Sequence, residues 1–441
     1  MGEKLALMGG NKAVTRSEEL AYATRWPAFS EEEKGAVIAA LEGDAVYAPT
    51  AQFEEEFAAY HNARYAVAHC NGTATIHSAY FAVGVEPGDE VITSAYTWHL
   101  QVSQILALHG LPVFCDIDPR TGCIEPGEIR RKISNRTKAI SVVHPFGCVA
   151  PMEEIVAIGK EHGIPVIEDC SHAHGATYRG QKVGTFGDIG CFSFQASKLI
   201  TAIEGGMLIT NNEEYYERVC LLGHYERIAK LRSEKYRQYS EPSKMMAPTC
   251  FGFKYRINPL AAALGRVQLS HLDEWNAVRR RNMGYLTKRI GEVGRGIFEP
   301  PYESPEMART WLNYICLYQA ELGGVRRERI IEALNAEGLP ATGGRTGYLP
   351  VYWNPLYEGR HSMWGQGYPF DAPYVTHKVT YERGMCPVAE GYWQKTVGLP
   401  VLHWAVSGEL LDEMVLAVEK VVSNLEELKE PAGDREGGAG R

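Results

Sequence analysis

The sequence has no long apolar run and no excess of positive charge. No stretch of about 18 or more apolar residues occurs in its 441 residues, so we expect no membrane span. The net charge of -9 at pH 7 argues against nucleic acid as the main partner. The N-terminus, Met1–Leu7, also lacks the apolar core of a signal peptide. We therefore expect a cytoplasmic protein that binds neither membranes nor nucleic acid.

The sequence also lacks the spaced motifs of three common kinds of site. The ten cysteines include no Cys-x-x-Cys pair for zinc or redox work, which favours small buried thiols in a reducing cytosol. His172 and His174 stand two residues apart without a third regularly spaced ligand, so no metal site is expected. No Gly-x-Gly-x-x-Gly or Walker lysine motif follows a strand, which weakens a nucleotide-binding interpretation.

What the chain does have is a series of short β-rich runs separated by amphipathic segments. Strands that alternate with helices predict an α/β fold with a mostly parallel seven-stranded sheet, covered on both faces. The last two runs follow each other without a full helix, so one of them is expected to be antiparallel. The seven runs are Tyr65–Ala68, Glu90–Thr93, Pro112–Cys115, Ala139–Val143, Pro165–Ile167, Gly190–Phe194 and Gly206–Thr210.

After residue 211 the pattern becomes helical, and a second domain follows. A long helix is predicted to open at Ala261–Leu272 and to continue past Arg281. The charged stretch 229–248 is interpreted as an exposed or mobile insertion, and Thr346–Asp371 as a binding loop rather than core. We predict an N-terminal arm and helix (1–50), a large domain (51–290), a smaller α+β domain (291–429) and a disordered tail (430–441).

A single lysine, Lys198, lies between the last two β-rich runs, and Asp169 follows the run before them. Small or apolar neighbours surround Lys198, and Gly205 and Gly206 follow where the backbone must pass closely. A desolvated lysine becomes a usable amine nucleophile, and a carboxylate at a strand end can hold a pyridine nitrogen protonated. The pair is what a pyridoxal 5'-phosphate (PLP) site needs, with Lys198 forming the Schiff base.

Other candidates for the same site stand near predicted strand ends. Asn71-Gly72-Thr73 lies between a strand and a helix, where backbone N–H groups can bind an anion, and Ser193 is a further donor. Trp98 could stack on a planar cofactor, and His172 could contact a cofactor oxygen. An ordinary βα turn at Gly72 and a core tryptophan at position 98 remain alternatives.

In their order along the chain, these motifs resemble the DegT/DnrJ/EryC1/StrS family of PLP-dependent sugar and cyclitol aminotransferases. The motifs are Asn71-Gly72-Thr73, Trp98, Glu168–Gly175, Gly187–Lys198, Glu204–Gly206 and Gly252–Arg256. The resemblance implies the PLP-dependent transferase fold (fold type I) and a homodimer with shared active sites. It further implies that Lys198 is the Schiff-base lysine, that Asp169 binds the pyridine nitrogen and that His172 contacts the ring hydroxyl. Trp98 would stack on the ring, with Gly72, Thr73 and Ser193 at the phosphate.

Other positions bear on the substrate and on the neighbouring subunit. The family usually has Asn where this chain has Lys254, and that Asn reaches the phosphate of the neighbouring subunit, so Lys254 is expected to act there as a point charge or to point elsewhere. Ser193-x-Gln195-x-x-Lys198-x-x-Thr201 resembles the branch that acts on keto-cyclitols and aminohydroxybenzoate precursors. Tyr348 and Arg256 are the candidate substrate contacts.

The resemblance implies an aminotransferase that moves an amino group from L-glutamine or L-glutamate to a keto group of a cyclitol or sugar. Two alternatives stay open, a nucleotide-keto-sugar aminotransferase and a non-catalytic regulator that binds PLP or a sugar. Relatives that dehydrate keto-deoxysugars carry histidine in place of the lysine, so Lys198 speaks against that reaction.

Overall fold

The fold, seen in a computed structural model, is described for residues 3–233, 236, 253–343, 348–362 and 365–429. Its centre is a seven-stranded sheet in the order β1-β9-β8-β5-β4-β2-β3. A short hairpin, β6–β7, joins a separate small sheet. The strands of this half are β1 (Tyr65–His69), β2 (Glu90–Ser94), β3 (Leu111–Cys115), β4 (Thr137–Val143), β5 (Val166–Asp169), β6 (Thr177–Tyr178), β7 (Gln181–Lys182), β8 (Ile189–Ser193) and β9 (Gly206–Thr210).

The central sheet is mostly parallel, as the sequence predicts. The pairs β2–β3, β2–β4, β4–β5 and β5–β8 are parallel, whereas β9 runs antiparallel to both β8 and β1. Strands such as β2 and β8 are buried at every residue, which explains their continuous apolar runs. The predicted fold class and the antiparallel strand at the end of the series are confirmed.

Helices cover both faces of this sheet. Asn71 caps α4 and Asn258 caps α9, each by accepting a backbone N–H, and Ser30 and Glu33 form a capping box at α2. The helices are α1 (Ser17–Ala23), α2 (Glu31–Glu42), α3 (Ala48–His61), α4 (Gly72–Val83), α5 (His99–Ala107), α6 (Pro126–Lys132), α7 (Met152–His162), α8 (Glu213–Gly223) and α9 (Pro259–Val293). The long helix predicted from residue 261 onward is therefore present.

The C-terminal part forms a four-stranded antiparallel sheet, ordered β10-β12-β16-β13. Its strands, with the short β11, β14 and β15, are β10 (Phe298–Glu299), β11 (Met307–Ala308), β12 (Tyr314–Tyr318), β13 (Thr342–Gly343), β14 (His361–Ser362), β15 (Gly365–Gln366) and β16 (Thr396–Leu399). The helices of this part are α10 (Ala320–Gly323), α11 (Arg327–Ala336), α12 (Pro387–Lys395), α13 (Gly408–Ser423) and α14 (Leu425–Leu428).

The N-terminal arm packs into the core of this C-terminal part. Leu5, Val14 and Leu20 are buried in one cluster with residues of α11 and α13. A buried ion pair strengthens the junction, because Lys420 Nζ lies 2.9 Å from Glu337 Oε2 and both side chains are almost fully buried. Glu337 also accepts the backbone N–H groups of Ala6 and Ala13, so one carboxylate joins the arm to α11 and α13.

The interpretation of Thr346–Asp371 as a binding loop rather than core is wrong for three of its rings. Tyr352, Tyr357 and Phe370 are buried in one cluster with Phe114 of β3, whose ring lies beside those of Tyr352 and Tyr357. They fill the core because the segment crosses the edge of the central sheet. Tyr348 alone of the named candidates in this segment reaches a cavity.

Two further predictions fall largely on residues that the structure does not describe. The insertion at 229–248 lies mostly outside the described residues, and the tail 430–441 lies wholly outside them. The division into domains stays a prediction. Among the described residues, no helix is long and apolar enough to cross a membrane.

Breaking the buried ion pair should destabilise the protein. Lys420→Met leaves Glu337 charged and without its cationic partner in the core, so we expect a loss of about 3–5 kcal/mol in the free energy of unfolding. Lys429→Met is the matched control, because Lys429 pairs with Glu426 at the surface and should lose less than about 1 kcal/mol. Urea unfolding followed by far-ultraviolet circular dichroism measures both, and equal losses would contradict the assignment.

Candidate active site

A cavity of about 760 Å³ lies at the carboxyl ends of β5 and β8 and at the N-terminus of α4. Open α/β sheets bind ligands at this edge. Sequence-predicted residues form much of its wall, namely Gly72, Thr73, Trp98, Asp169, His172, Ser193, Lys198 and Tyr348. The structure therefore brings together residues that are up to 276 positions apart in the chain, from Gly72 to Tyr348.

Asp169 ends β5 and lies in register with Val143 of β4 and Cys191 of β8. Its side chain is buried, and Oδ1 accepts the backbone N–H of Ser171 at 3.0 Å. This single contact fixes one oxygen of the carboxylate. A cationic N–H donor in the cavity would satisfy the buried charge.

Lys198 lies in the loop that joins β8 to β9. The turn is closed by the backbone N–H of Lys198, which donates to Gln195 O at 2.9 Å. Burial lowers the pKa of the Lys198 amine, and the negative charge of Asp169 opposes that shift. More of the amine is therefore neutral near pH 7 than for an exposed lysine, which is the state that attacks a carbonyl.

The turn before α4 forms a cradle for an anion. Asn71 accepts the N–H of Ala74, while the N–H groups of Gly72 and Thr73 lie at the helix start, where no intrahelical acceptor exists. A Cβ on Gly72 would lie 2.5 Å from Ser193 Cβ, so only glycine allows β8 to approach this closely. The contact places the Ser193 hydroxyl beside the helix start.

His172 is buried at the base of the cavity between two aromatic residues. The backbone N–H of Phe146 donates to Nδ1 at 3.4 Å, and the Tyr348 hydroxyl lies 2.7 Å from Nε2. Burial, with the nearby positive charge of Lys198, holds the pKa of His172 well below its ordinary value. With Nδ1 accepting, we assign the proton of the neutral ring to Nε2, the atom that faces Tyr348.

One wall of the cavity is aromatic. Trp98 is 48% exposed, and its ring centre lies 5.6 Å from that of Tyr348, while Phe146 and Tyr348 stack at 5.4 Å. The sequence reasoning missed Phe146, Leu312 and Asn313, which also line the cavity. Phe146 follows the end of β4, so the strand-end argument used for Asp169 could have found it.

Lys254 and Arg256 do not line the cavity of a single chain. Lys254 is exposed. The guanidinium of Arg256 lies 3.6 Å from Glu226 Oε2 and over the ring of Tyr225, 5.1 Å from its centre. The substrate contact expected for Arg256 stays a prediction, since its side chain lies outside this cavity.

Glu168, next to Asp169, faces the opposite side of the sheet and has a structural role. Its carboxylate accepts the backbone N–H groups of Gly184, Phe186 and Gly187 at 2.7–2.8 Å, and His144 Nε2 lies 3.1 Å away. Because these contacts occupy both oxygens, the buried grouping of His144, Glu168 and Cys170 does not offer a free carboxylate to a metal ion.

Comparison with known proteins agrees with this geometry. The model of the DegT/DnrJ/EryC1/StrS aminotransferase family matches residues 27–419. The chain belongs to this family. It is an aminotransferase.

Relatives with assigned names agree with the family. This aminotransferase is 33% identical to L-glutamine:2-deoxy-scyllo-inosose aminotransferase of Streptomyces paromomycinus, with 96% of this chain and 98% of that protein covered. It is also 33% identical to GDP-perosamine synthase of Caulobacter vibrioides, over 69% of this chain and 78% of that protein. The solved aminotransferase from Psychrobacter cryohalolentis is 28% identical, with a TM-score of 0.77, and 91% of this chain and 99% of that one are covered.

The lowered pKa of Lys198 has a consequence for its reactivity. In the ligand-free protein, Lys198 should lose its proton at lower pH than a free model lysine in the same solution, because burial disfavours the charged amine. Competitive acetylation across a pH series, read by peptide mass spectrometry, gives both midpoints. A Lys198 midpoint at or above that of the model lysine would contradict the assignment.

Proposed function

We propose that this aminotransferase uses PLP, held at Lys198, to move the amino group of L-glutamine or L-glutamate to a keto group of a cyclitol or sugar. The observation that carries the proposal is the placement of Lys198, Asp169 and the anion cradle of α4 around one cavity. A buried amine, a buried carboxylate and a helix N-terminus are the three groups that PLP requires. The match to an aminotransferase family makes a non-catalytic regulator the weaker alternative.

The lining residues fit PLP in size and in chemistry. Its phosphate would bind to the N–H groups of Gly72 and Thr73 and to the hydroxyl of Ser193, and its ring would stack against Trp98. Asp169 would accept the pyridinium N–H, and His172 would contact the ring hydroxyl. When bound, PLP supplies an electron sink for the bonds at the carbon that carries the amino group.

The residues of this chain then position the substrate and move protons. Lys198 Nζ, once free, accepts the proton from the substrate carbon that bears the amino group and later returns a proton as a general acid. Its lowered pKa favours the base form, and Asp169 stabilises positive charge opposite it.

A cyclitol or sugar ring without a nucleotide is the substrate class that we favour. Trp98, Phe146 and Tyr348 offer apolar faces to a ring, and Gln195, Ser197 and Asn313 offer polar groups to hydroxyls. Among the described residues that line the cavity of one chain, Lys198 is the one Lys or Arg, which provides little to bind a diphosphate. The relative named for 2-deoxy-scyllo-inosose and L-glutamine supports this choice.

The similarity to GDP-perosamine synthase keeps a nucleotide-keto-sugar substrate as the second candidate.

We also propose that the enzyme is a cytoplasmic homodimer with shared active sites. Lys254 is exposed, and it lies on the segment beside β1, where the backbone N–H of Cys70 donates to Tyr255 O at 2.6 Å. An exposed lysine at this place could reach the phosphate site of the other subunit and act there as a point charge.

Absorbance of the purified, PLP-loaded protein tests the proposal. We expect a visible band that shifts to the near ultraviolet when L-glutamine or L-glutamate is added, and that reappears when a keto-cyclitol follows. Lys198→Ala should remove the response to the donors, because the amine that moves the proton is lost, whereas the exposed Lys160→Ala should respond like the wild type. A protein that takes up no PLP would refute the cofactor assignment.

Enlarging the glycine of the anion cradle should weaken cofactor binding. Gly72→Ala places a Cβ 2.5 Å from Ser193 Cβ and separates the helix start from β8. We expect PLP affinity to fall roughly ten- to a hundredfold, because a hydrogen bond to a charged group contributes about 1.5–3 kcal/mol. Fluorescence titration of the apo-protein measures it. Gly391→Ala, with open space around the new Cβ, is the control, and equal affinities for the two variants would contradict the cradle.

A further inference from the structure

Arg279 is a fully buried cation in α9, directly behind the loop that carries Lys198. Its side chain has no solvent exposure, and no carboxylate of a described residue lies within 4 Å of it. A buried charge without an ionic partner is costly to desolvate, so neutral groups must compensate. Burial lowers the pKa of Arg279 to about 9, which still leaves it charged at neutral pH.

The compensating contacts of Arg279 come from separate parts of the chain. Nη2 donates to Leu199 O at 3.2 Å, Nη1 to Asn276 Oδ1 at 3.2 Å and Nε to His403 Nδ1 at 3.1 Å. The guanidinium also lies over the indole of Trp26, 4.7 Å from the ring centre. Through these contacts one side chain connects the lysine loop with α9, the N-terminal arm and the segment after β16.

Trp26 holds the same loop at the adjacent residue. Its Nε1–H donates to Lys198 O at 2.7 Å, and its ring stacks on His403 with ring centres 5.0 Å apart. Burial and the charge of Arg279 lower the pKa of His403 to about 3, so its ring stays neutral and Nδ1 remains an acceptor. The carbonyls of Lys198 and Leu199 are thus each held by a side chain from outside the loop.

Helix α9 also contacts the segment of the site that begins at Asp169. Asn276 Nδ2 donates to His174 O at 2.8 Å, and His174 follows His172 on the segment that begins at Asp169. Asn276 and Arg279 therefore fix the backbones on the Asp169 side and on the Lys198 side relative to one rigid helix.

We propose that Trp26 and Arg279 form a lysine clamp, which positions Lys198 so that its Nζ stays opposite Asp169. The inference rests on the proposed role of Lys198. The clamp acts on the backbone of the lysine loop and touches neither substrate nor cofactor. A displacement of about 1 Å at such a distance from the chemistry can lower a rate about a hundredfold, so the clamp should affect turnover more than donor binding.

Four variants of the PLP-loaded protein test the clamp: Arg279→Met, Arg279→Lys, Trp26→Phe and the control Arg266→Met. Arg266 lies on the same helix but binds Glu56 of α3, away from the loop. We expect Arg279→Met to lower kcat about a hundredfold with little change in KM for L-glutamine, and to reduce the visible circular dichroism of bound PLP. Arg279→Lys should recover part of both, Trp26→Phe should resemble Arg279→Met in direction, and Arg266→Met should match the wild type.

The outcomes separate the clamp from the proposed function. A wild-type protein without a PLP band refutes the proposed function itself. A wild type with that band, together with a folded Arg279→Met variant that keeps wild-type kcat and visible circular dichroism, overturns the clamp alone. If Arg279→Met does not fold, Arg279→Lys and Trp26→Phe decide, and wild-type values for both overturn the clamp.

Discussion

The burial of an amine beside a carboxylate at two adjacent strand ends is the constraint on which the site depends. Parallel pairing of β5 with β8 fixes Asp169 next to Cys191, and the chain then needs five residues from Ser193 to reach Lys198. Burial is costly for both charges, yet it lowers the pKa of the Lys198 amine and makes the base form available. The surrounding structure holds this costly arrangement in place.

Support comes from both faces of the sheet. On one face, the Glu168 carboxylate accepts backbone N–H groups from residues 184–187 and contacts His144. These contacts fix the strand end that carries Asp169. Behind the lysine loop, Trp26 and Arg279 hold successive carbonyls. At the cavity, the close contact of Gly72 with Ser193 joins β8 to the helix that would bind the phosphate. Several of these contacts act on backbone groups, and they fix the strand end and the loop that carry Asp169 and Lys198.

The sheet and half of the site follow from sequence because both depend on local patterns. Asp169, Ser193 and Gly72 stand beside apolar runs, and strand ends meet at one edge of a parallel sheet. Leu312 and Asn313 come from a distant segment that no local period connects to that edge, and Tyr348 was predicted only through the resemblance to a family. Arg279 could not be recognised from the sequence for a similar reason. It is the first of three consecutive arginines, 279–281, which suggest a solvent-exposed face. Only the orientation of α9 in the structure shows that Arg279 is the buried one. Tyr352 and Tyr357 were misjudged because a segment rich in Gly and Pro resembles a loop even when its rings fill the core.

The proposed role of Lys198 is tested most directly by finding which lysine binds the cofactor. Borohydride reduction of the PLP-loaded protein, followed by digestion and peptide mass spectrometry, fixes the cofactor to the lysine that bears it. We expect a single labelled peptide that contains Lys198. Labelling at another lysine, or no stoichiometric labelling at all, would contradict it.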